Sequence, residues 1–504
     1  MRCTKDQSMS PYVPIHTTAT IRELEDAAPA ELRPLMDRAG AAAARHALRM
    51  LGTAPERPGH RVLVLAGPGN NGGDAFEAAV HLKDAWCDVT LVFTGARDRL
   101  PEDARRAFGK WEAAGGKVAG EIPVGSPFDL VIDGLFGIGL ARPLDGRHAE
   151  LVHQANALHA PILALDIPSG VNGDTGAVMG CAIRATETVT FIALKAGLLT
   201  LDGPDHCGRV HVETLGLDVG SMQTPPGEWL DGRSREALPA RPNNFHKGNA
   251  GEVAIVGGAR GMTGAAFIAG RAAIRTGAGK VFLGLIGEDA PAFDVLQPEL
   301  MTRSASSAMA DASVIVAGPG MGASSLAAMR AAVAADKPLV LDADALNLIG
   351  AHPPLADATA ARKAPTIMTP HPAEAARLLG ASTADVQRHR VTAACAMAER
   401  YRAFVVLKGN GSVIARPGTA GDSQTHWWIN ASGNPGMASA GMGDALAGMV
   451  GSLLAQGLPP LEALQLAVWL HGAAADRLAA RGEGPIGITA SDVIDEARRM
   501  LNAG

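Results

Sequence analysis

A chain of 504 residues with 47% hydrophobic and 19% charged residues is globular and too long for one ordinary core, which predicts two domains. A net charge of -6, no long basic run and 4% aromatic residues argue against a nucleic-acid or anionic-membrane partner. Five dispersed cysteines (Cys3, Cys87, Cys181, Cys207, Cys395), no Cys-x-x-Cys pair, no apolar run near the roughly 20 residues of a membrane span and a polar Met1–Thr18 without a signal core point to a cytoplasmic protein with reduced thiols.

Helices are expected at Ile21–Ala28 and Leu35–Leu51, the second rich in alanine. Arg61–Ala66 is a short apolar run ended by Gly-Pro-Gly, the pattern of a buried parallel strand feeding an anion-binding loop. A helix over Phe76–Lys83 follows, then strands over Val89–Phe93, Phe128–Asp133, Pro161–Asp166 and Glu187–Phe191. Strands alternating with helical stretches predict a doubly wound parallel α/β sheet, and 60 glycines suit its many tight turns. The pattern breaks over Leu217–Asn244, which carries Pro225, Pro226, Gly227, Pro239 and Pro242 and reads as the connection between domains. Alternation then restarts with a strand and turn over Gly251–Gly258, a small-residue helix over Gly264–Thr276, and strands over Ser313–Val316, Pro338–Asp342, Thr366–Met368 and Phe404–Leu407. Ala440–Leu454 and Ala463–Arg477 are helical. The expected domains are residues 1–230 and 231–504.

In the first half, three strand ends carry polar groups. They are Asn70, Asn71 and Asp74 in Ala66-Gly-Pro-Gly-Asn-Asn-Gly-Gly-Asp74; Asp133 before Gly134-Leu-Phe-Gly-Ile-Gly-Leu-Ala-Arg-Pro143; and Asp166 in Asp166-Ile-Pro-Ser-Gly170. Open α/β sheets bind ligands beyond the carboxyl ends of their strands, so these residues converge on one crevice. Gly67, Gly69, Gly72 and Gly73 let backbone amides approach an anion, although the loop is neither GxGxxG nor a P-loop. Asn71, Asp133 and Ser169 offer hard oxygen ligands suited to an alkali or alkaline-earth cation, and Asp166 is the acid/base candidate. An aspartate closing a strand is often only a helix cap; three polar strand ends with two glycine-rich loops outweigh that reading.

These three motifs together resemble the NAD(P)H-hydrate epimerase family over Thr17–Val219. The resemblance implies a Rossmann-like fold, a bound K⁺ on Asn71, Asp133 and Ser169, and interconversion of the R and S hydrates of NADH or NADPH with Asp166 as acid/base. It implies substrate contacts from Asn70, Asn71, Gly72, Gly73, Asp74, Gly137, Ile138, Gly139, Leu140, Ala141, Arg142, Pro143 and Asp166. Ala75 departs from the glycine common there.

In the second half, Gly441-Met-Gly-Asp444 opens a helix, where free amides form an anion hole and Asp444 sits beside any phosphoryl group held there. Lys408, at a strand end before Gly409-Asn410-Gly411, suits a nucleotide phosphate or ribose. With His246–Gly251, Val256–Gly258, Gly261–Ala266, Ala317–Gly322, Leu341–Asn347 and Thr369-Pro-His-Pro-Ala-Glu374, the set resembles the NAD(P)H-hydrate dehydratases of the ribokinase-like superfamily over Leu238–Leu501. The resemblance implies ADP-dependent dehydration of the S hydrate with Mg²⁺ (ATP in eukaryotic relatives), releasing AMP and phosphate. Lys408, Gly409, Asn410, Gly411, Ser412 and Gly443 would contact ADP. Ala265, Gly320, His371 and Asp444 would contact the hydrated dinucleotide, with Asp444 as catalytic base. Ala373 stands where the family usually has glycine. Alternatives are a ribokinase-like vitamin kinase fused to a nucleotide-binding domain, and a non-catalytic NAD(P) sensor; the two aspartates argue against the sensor. A homo-oligomer, tetramer or larger, is expected from alanine-rich helices taken as exposed.

Overall fold

In Val62-Leu-Val-Leu65 every side chain is apolar and fully buried, so both faces of this strand must be covered. The computed structural model describes residues 13–52, 59–219, 227–230, 238, 241–287, 290–419 and 425–503. Cys3 and Pro225–Pro226 lie outside them. The chain divides into two compact units, Met1–Gly227 and Glu228–Gly504. Among the described residues no helix is long and apolar enough to cross a membrane, and Cys87, Cys181, Cys207 and Cys395 are free thiols.

The first unit contains β1 (Val13–His16), β2 (Arg61–Ala66), β3 (Asp88–Phe93), β4 (Val118–Ala119), β5 (Leu130–Gly134), β6 (Ile162–Leu165), β7 (Glu187–Phe191), β8 (Leu194–Lys195) and β9 (Arg209–Glu213). Seven form one parallel sheet in the order β4-β3-β2-β5-β6-β7-β9, while β1 pairs in parallel with β8. The period of two assigns Val62, Val64 and Ile132 to one face, covered by helices Leu35–Leu51, Asn70–Asp84 and Glu102–Ala113. Leu63, Leu65 and Val131 face the other side, covered by Gly146–Ala157 through Leu151, Val152 and Ala155. The order reverses between β2 and β5, so the loops leaving them diverge and open a crevice.

The doubly wound α/β expectation holds, with two local differences. The helix expected from Phe76 begins at Asn70, with Gly69 as its N-cap, so Asn71, Gly72, Gly73 and Asp74 lie in its first turns. Glycine's poor helix propensity is overridden by packing: a Cβ on Gly72 would lie 2.0 Å from the Gly67 carbonyl oxygen, and one on Gly73 2.5 Å from Met36. Secondly, Leu35–Leu51 is not an exposed alanine-rich helix. Ala39, Ala42, Ala43 and Ala47 are buried, and Gly40 permits close approach to the next helix, since a Cβ there would fall 2.2 Å from that of Glu77.

After β10 (Gly227–Leu230), in the stretch read as the connection, come β11 (Glu252–Gly257), β12 (Lys280–Leu285), β13 (Met301–Arg303), β14 (Val314–Ala317), β15 (Leu339–Leu341), β16 (Thr366–Met368), β17 (Phe404–Leu407), β18 (Ser412–Arg416) and β19 (His426–Asn430). The second unit's sheet runs β13-β12-β11-β14-β15-β16-β17-β18-β19. It is parallel through β17 and antiparallel beyond. Val253, Ile255, Val316, Val340 and Val406 pack on helices Thr263–Thr276, Met442–Ala455, Pro460–Ala480 and Ala490–Asn502. The order reverses between β11 and β14, and a second set of loops gathers there.

Ala75 is accommodated because Gly134 lacks a side chain: a Cβ on Gly134 would sit 2.5 Å from that of Ala75 and 2.9 Å from the Asn71 carbonyl oxygen. Gly134→Ala should therefore cost about 1–3 kcal/mol in denaturant unfolding of the first unit, and adding Ala75→Gly should recover part of it. An unchanged unfolding midpoint in Gly134→Ala would refute this packing.

Candidate active sites

The loops after β2, β5 and β6 meet at the carboxyl end of the first sheet. Asp133 and Ser169 are fully buried. The Ser169 amide donates to Asp133 Oδ2 at 2.8 Å, the Ser169 hydroxyl to Oδ1 at 2.6 Å, and the Leu135 amide to Oδ1 at 3.2 Å. Burial nonetheless raises the Asp133 pKa to about 6. Ser169 Oγ also accepts the Phe136 amide at 2.8 Å, which ties the Gly134–Pro143 loop to the turn after β6.

Asp166 follows β6 with φ of 64°, the left-handed region rarely adopted by a residue with a side chain. Its Oδ2 accepts the Ile138 amide at 3.1 Å and its Oδ1 accepts Lys195 Nζ at 2.6 Å. A Cβ on Gly137 would lie 2.7 Å from Asp166 Oδ2 and 3.2 Å from Asn71 Oδ1. Gly137, Asp166 and Asn71 thus converge, as the motifs predict. Asn71 is buried, and neither amide atom of its side chain has a partner. A buried carboxamide oxygen without a donor is a fit for a cation ligand. Asp74, one helical turn beyond Asn71, is half-buried; desolvation, then Asp166, Glu25 and Glu77, hold its carboxyl well above the usual range. Gly139, Ala141, Arg142 and Pro143 are exposed on the rim, with Leu140 half-buried.

In the second unit, Asp342 closes β15 and is buried. Its Oδ1 accepts Lys408 Nζ, from the end of β17, at 2.8 Å and the Thr369 hydroxyl at 2.7 Å. Gly441, at φ 88°, caps the helix Met442–Ala455. A Cβ on Gly443 would lie 3.0 Å from Lys408 Nζ and 3.5 Å from Asp342 Oδ2, so the helix start stands directly over the ion pair. Asp444, half-buried in that first turn, is raised to about 6 by burial and by Asp342, against the pull of Lys408. The geometry joins free helix-start amides, a lysine and a carboxylate that can exchange a proton near neutrality, a set suited to phosphoryl chemistry.

The loop Gly409-Asn410-Gly411 is held by Arg390, which is buried and donates to the carbonyls of Leu407, Lys408 and Gly411. Gly409, at φ 139°, leaves room for that guanidinium, 2.8 Å from where a Cβ would stand. Ser412 Oγ donates to the Gly409 carbonyl at 3.1 Å. Gly320 and Ala265 adjoin across the β14 loop, 3.1 Å between an added Cβ and that of Ala265. Asp344 accepts the Gly322 amide at 2.8 Å and fixes the loop. His371 caps helix Pro372–Leu379, its Nδ1 accepting the Ala373 amide at 3.1 Å. Ala373 keeps the amide the cap needs.

The motifs did not single out Lys195, Asp342, Arg390 or Glu374. Lys195 interrupts the apolar run Phe191–Leu199, and Asp342 ends a strand as Asp133 does; both signals were present. Among the described residues, one His/Glu group is tight enough to hold a metal: His46, Glu187 and His211. There the Arg49 guanidinium lies 2.6 Å from Glu187 Oε2 and 3.2 Å from His211 Nε2 and fills the cation's place.

Two family models match the chain: "YjeF-related protein N-terminus" over residues 32–197 and "NAD(P)H-hydrate dehydratase" over residues 253–499. The bifunctional NAD(P)H-hydrate repair enzyme Nnr of Escherichia coli is 40% identical over 87% of this chain and 85% of its own length. The bifunctional NAD(P)H-hydrate repair enzyme of Leishmania major is 35% identical over 100% and 96%. Among solved structures, an ADP/ATP-dependent NAD(P)H-hydrate dehydratase from Bacillus subtilis, co-crystallised with ATP and Mg²⁺, is 31% identical, covers 53% of this chain and 94% of its own, and superimposes with a TM-score of 0.46.

Glu374 completes the His371 cap, its Oε2 accepting the His371 amide at 2.8 Å, and burial raises its pKa from 4.5 to about 7. The folded chain keeps this proton where the unfolded chain has lost it. Stability therefore falls as pH rises from about 4.5 to about 7, and the penalty is complete above that window. Glu374→Gln should gain on the parent chain between pH 5 and pH 8, by on the order of 2 kcal/mol in urea unfolding. Parallel pH dependence of the two chains would show that Glu374 ionises normally.

Proposed function

The chain belongs to the bifunctional NAD(P)H-hydrate repair enzymes, an epimerase half followed by a dehydratase half, and from that premise we propose how each half works. In the epimerase half Asp166 exchanges the proton as the R and S hydrates pass through an iminium-like species, and its carboxylate stabilises the positive charge that develops. Asn70, Asn71, Gly72, Gly73, Asp74, the Gly137–Pro143 loop and Asp166 contact the hydrated nucleotide. Asn71, Asp133 and Ser169 would hold K⁺; the buried, unpartnered Asn71 carboxamide and the buried Asp133–Ser169 pair support this. When bound, the ion supplies a counter-charge that favours the ionised Asp133.

In the dehydratase half Asp444 removes the proton of the S hydrate's hydroxyl as that oxygen attacks the β-phosphorus of ADP. An O–P bond forms, AMP leaves, and elimination of phosphate from the resulting ester restores NADH or NADPH. Lys408, Gly409, Asn410, Gly411, Ser412 and Gly443 hold ADP, and Ala265, Gly320, His371 and Asp444 hold the hydrate. Mg²⁺, when bound, neutralises phosphate charge. The observation that carries this reading is Gly443 and Asp444 stacked over the Lys408–Asp342 pair at a helix N-terminus. A cytoplasmic homo-oligomer, tetramer or larger, belongs to the same reading; the exposed Phe293, Val295 and Leu296 support an association surface.

The vitamin-kinase alternative differs in its products. With S hydrate and ADP the chain should release AMP and free phosphate and restore the absorbance of the reduced nicotinamide; a stable phosphoester would favour the kinase. Asp444→Asn should lower dehydration by about 10²–10⁴-fold and leave epimerisation intact. Because Asp444 must be ionised to act, kcat/KM for dehydration should fall as pH drops through about 6. A flat profile down to pH 5 would exclude Asp444 as the base.

A further inference from the structure

Lys195 is fully buried. Its ammonium donates to Asp166 Oδ1 at 2.6 Å, to Thr190 Oγ1 at 2.8 Å and to the Phe191 carbonyl at 2.7 Å, so all three of its protons are used. An ammonium this far from water is costly unless paired with a carboxylate. Tying β8 to the end of β7 needs only a neutral donor; the charge is explained by Asp166. Beside Lys195 in the parallel register of β1 and β8 is His16, also fully buried, with neither ring nitrogen hydrogen-bonded. Burial and the neighbouring Lys195 ammonium lower its pKa.

The orientation of the Asp166 carboxylate is set from both ends. Oδ1 is drawn to Lys195, and Oδ2 turns toward Gly137 and Asn71, where the Ile138 amide meets it. The Asp166 amide donates to the Val189 carbonyl at 2.7 Å. A left-handed backbone at a non-glycine residue persists only when its surroundings over-determine it, and these contacts do so.

We propose that Lys195 is a positioning residue for epimerisation: its ammonium fixes the Asp166 carboxylate so that Oδ2 alone is presented to the hydrated nicotinamide. This rests on the reading of Asp166 as the acid/base. It assigns Lys195 no contact with substrate, so its loss should act on turnover rather than on binding.

The test uses the full chain, with the R hydrate as substrate for epimerisation and the S hydrate with ADP as a control on the other half. Lys195→Met should lower kcat for epimerisation by about 100-fold, with KM changed less than about threefold and dehydration unchanged. In an Asp166→Asn background, Lys195→Met should cost nothing further, because the group it positions is gone. Should Lys195→Met alone fail to fold, the double variant, which buries no unpaired charge, still gives that comparison with Asp166→Asn. Full epimerase activity in Lys195→Met, a loss confined to KM, or a further loss in the Asp166→Asn background would overturn the proposal. Full activity in Asp166→Asn itself would overturn the underlying assignment of Asp166.

Discussion

Each half of this chain is organised around one lysine paired with one strand-end aspartate: Lys195 with Asp166 at 2.6 Å, and Lys408 with Asp342 at 2.8 Å. Charges of this kind are tolerated inside a protein only as pairs. The two halves use theirs differently. In the first, the aspartate of the pair is itself the carboxylate proposed to react, and the lysine behind it is fully buried. In the second, the pair lies beneath a helix start, and the carboxylate proposed to react, Asp444, comes from that helix. The separation suits the chemistry, because a lysine that is to meet a phosphate must face the open side, whereas one that only steadies a carboxylate need not.

Topology decides where these pairs are possible. A parallel sheet points all its carboxyl ends one way, and at the point of reversal the loops part. In the first unit that point lies between β2 and β5, which brings Asn71 near Asp166 although they belong to different strand-helix units. In the second it lies between β11 and β14, where Gly320 meets Ala265. Close approach is bought with glycine at each crossing: Gly137 against Asp166, Gly134 against Ala75, Gly443 against Lys408.

Features carried by local pattern could be read from the sequence: the apolar strands, the aspartates that close them, and the glycine-rich turns. The helix at Asn70 was expected to start later, because propensity marks Gly72 and Gly73 as loop residues, and only packing against Gly67 and Met36 explains them as helix. Nothing in the spacing pairs Lys195 with Asp166, which stands 29 residues away just beyond another strand. What Arg390 holds is set by tertiary contact, and spacing carries no sign of it. The antiparallel β18 and β19 are strands that the strand-helix alternation does not announce.

Asp166 is proposed to serve epimerisation alone, with the two halves acting in sequence on one damaged cofactor. The most direct measurement is the extent of NADH recovery from a mixture of R and S hydrates with ADP, over a time short against uncatalysed epimerisation in buffer. The parent chain should recover the whole mixture. Asp166→Asn should stop at the fraction initially present as the S hydrate. Complete recovery by Asp166→Asn, at the parent rate, would rule out Asp166 as the epimerising group.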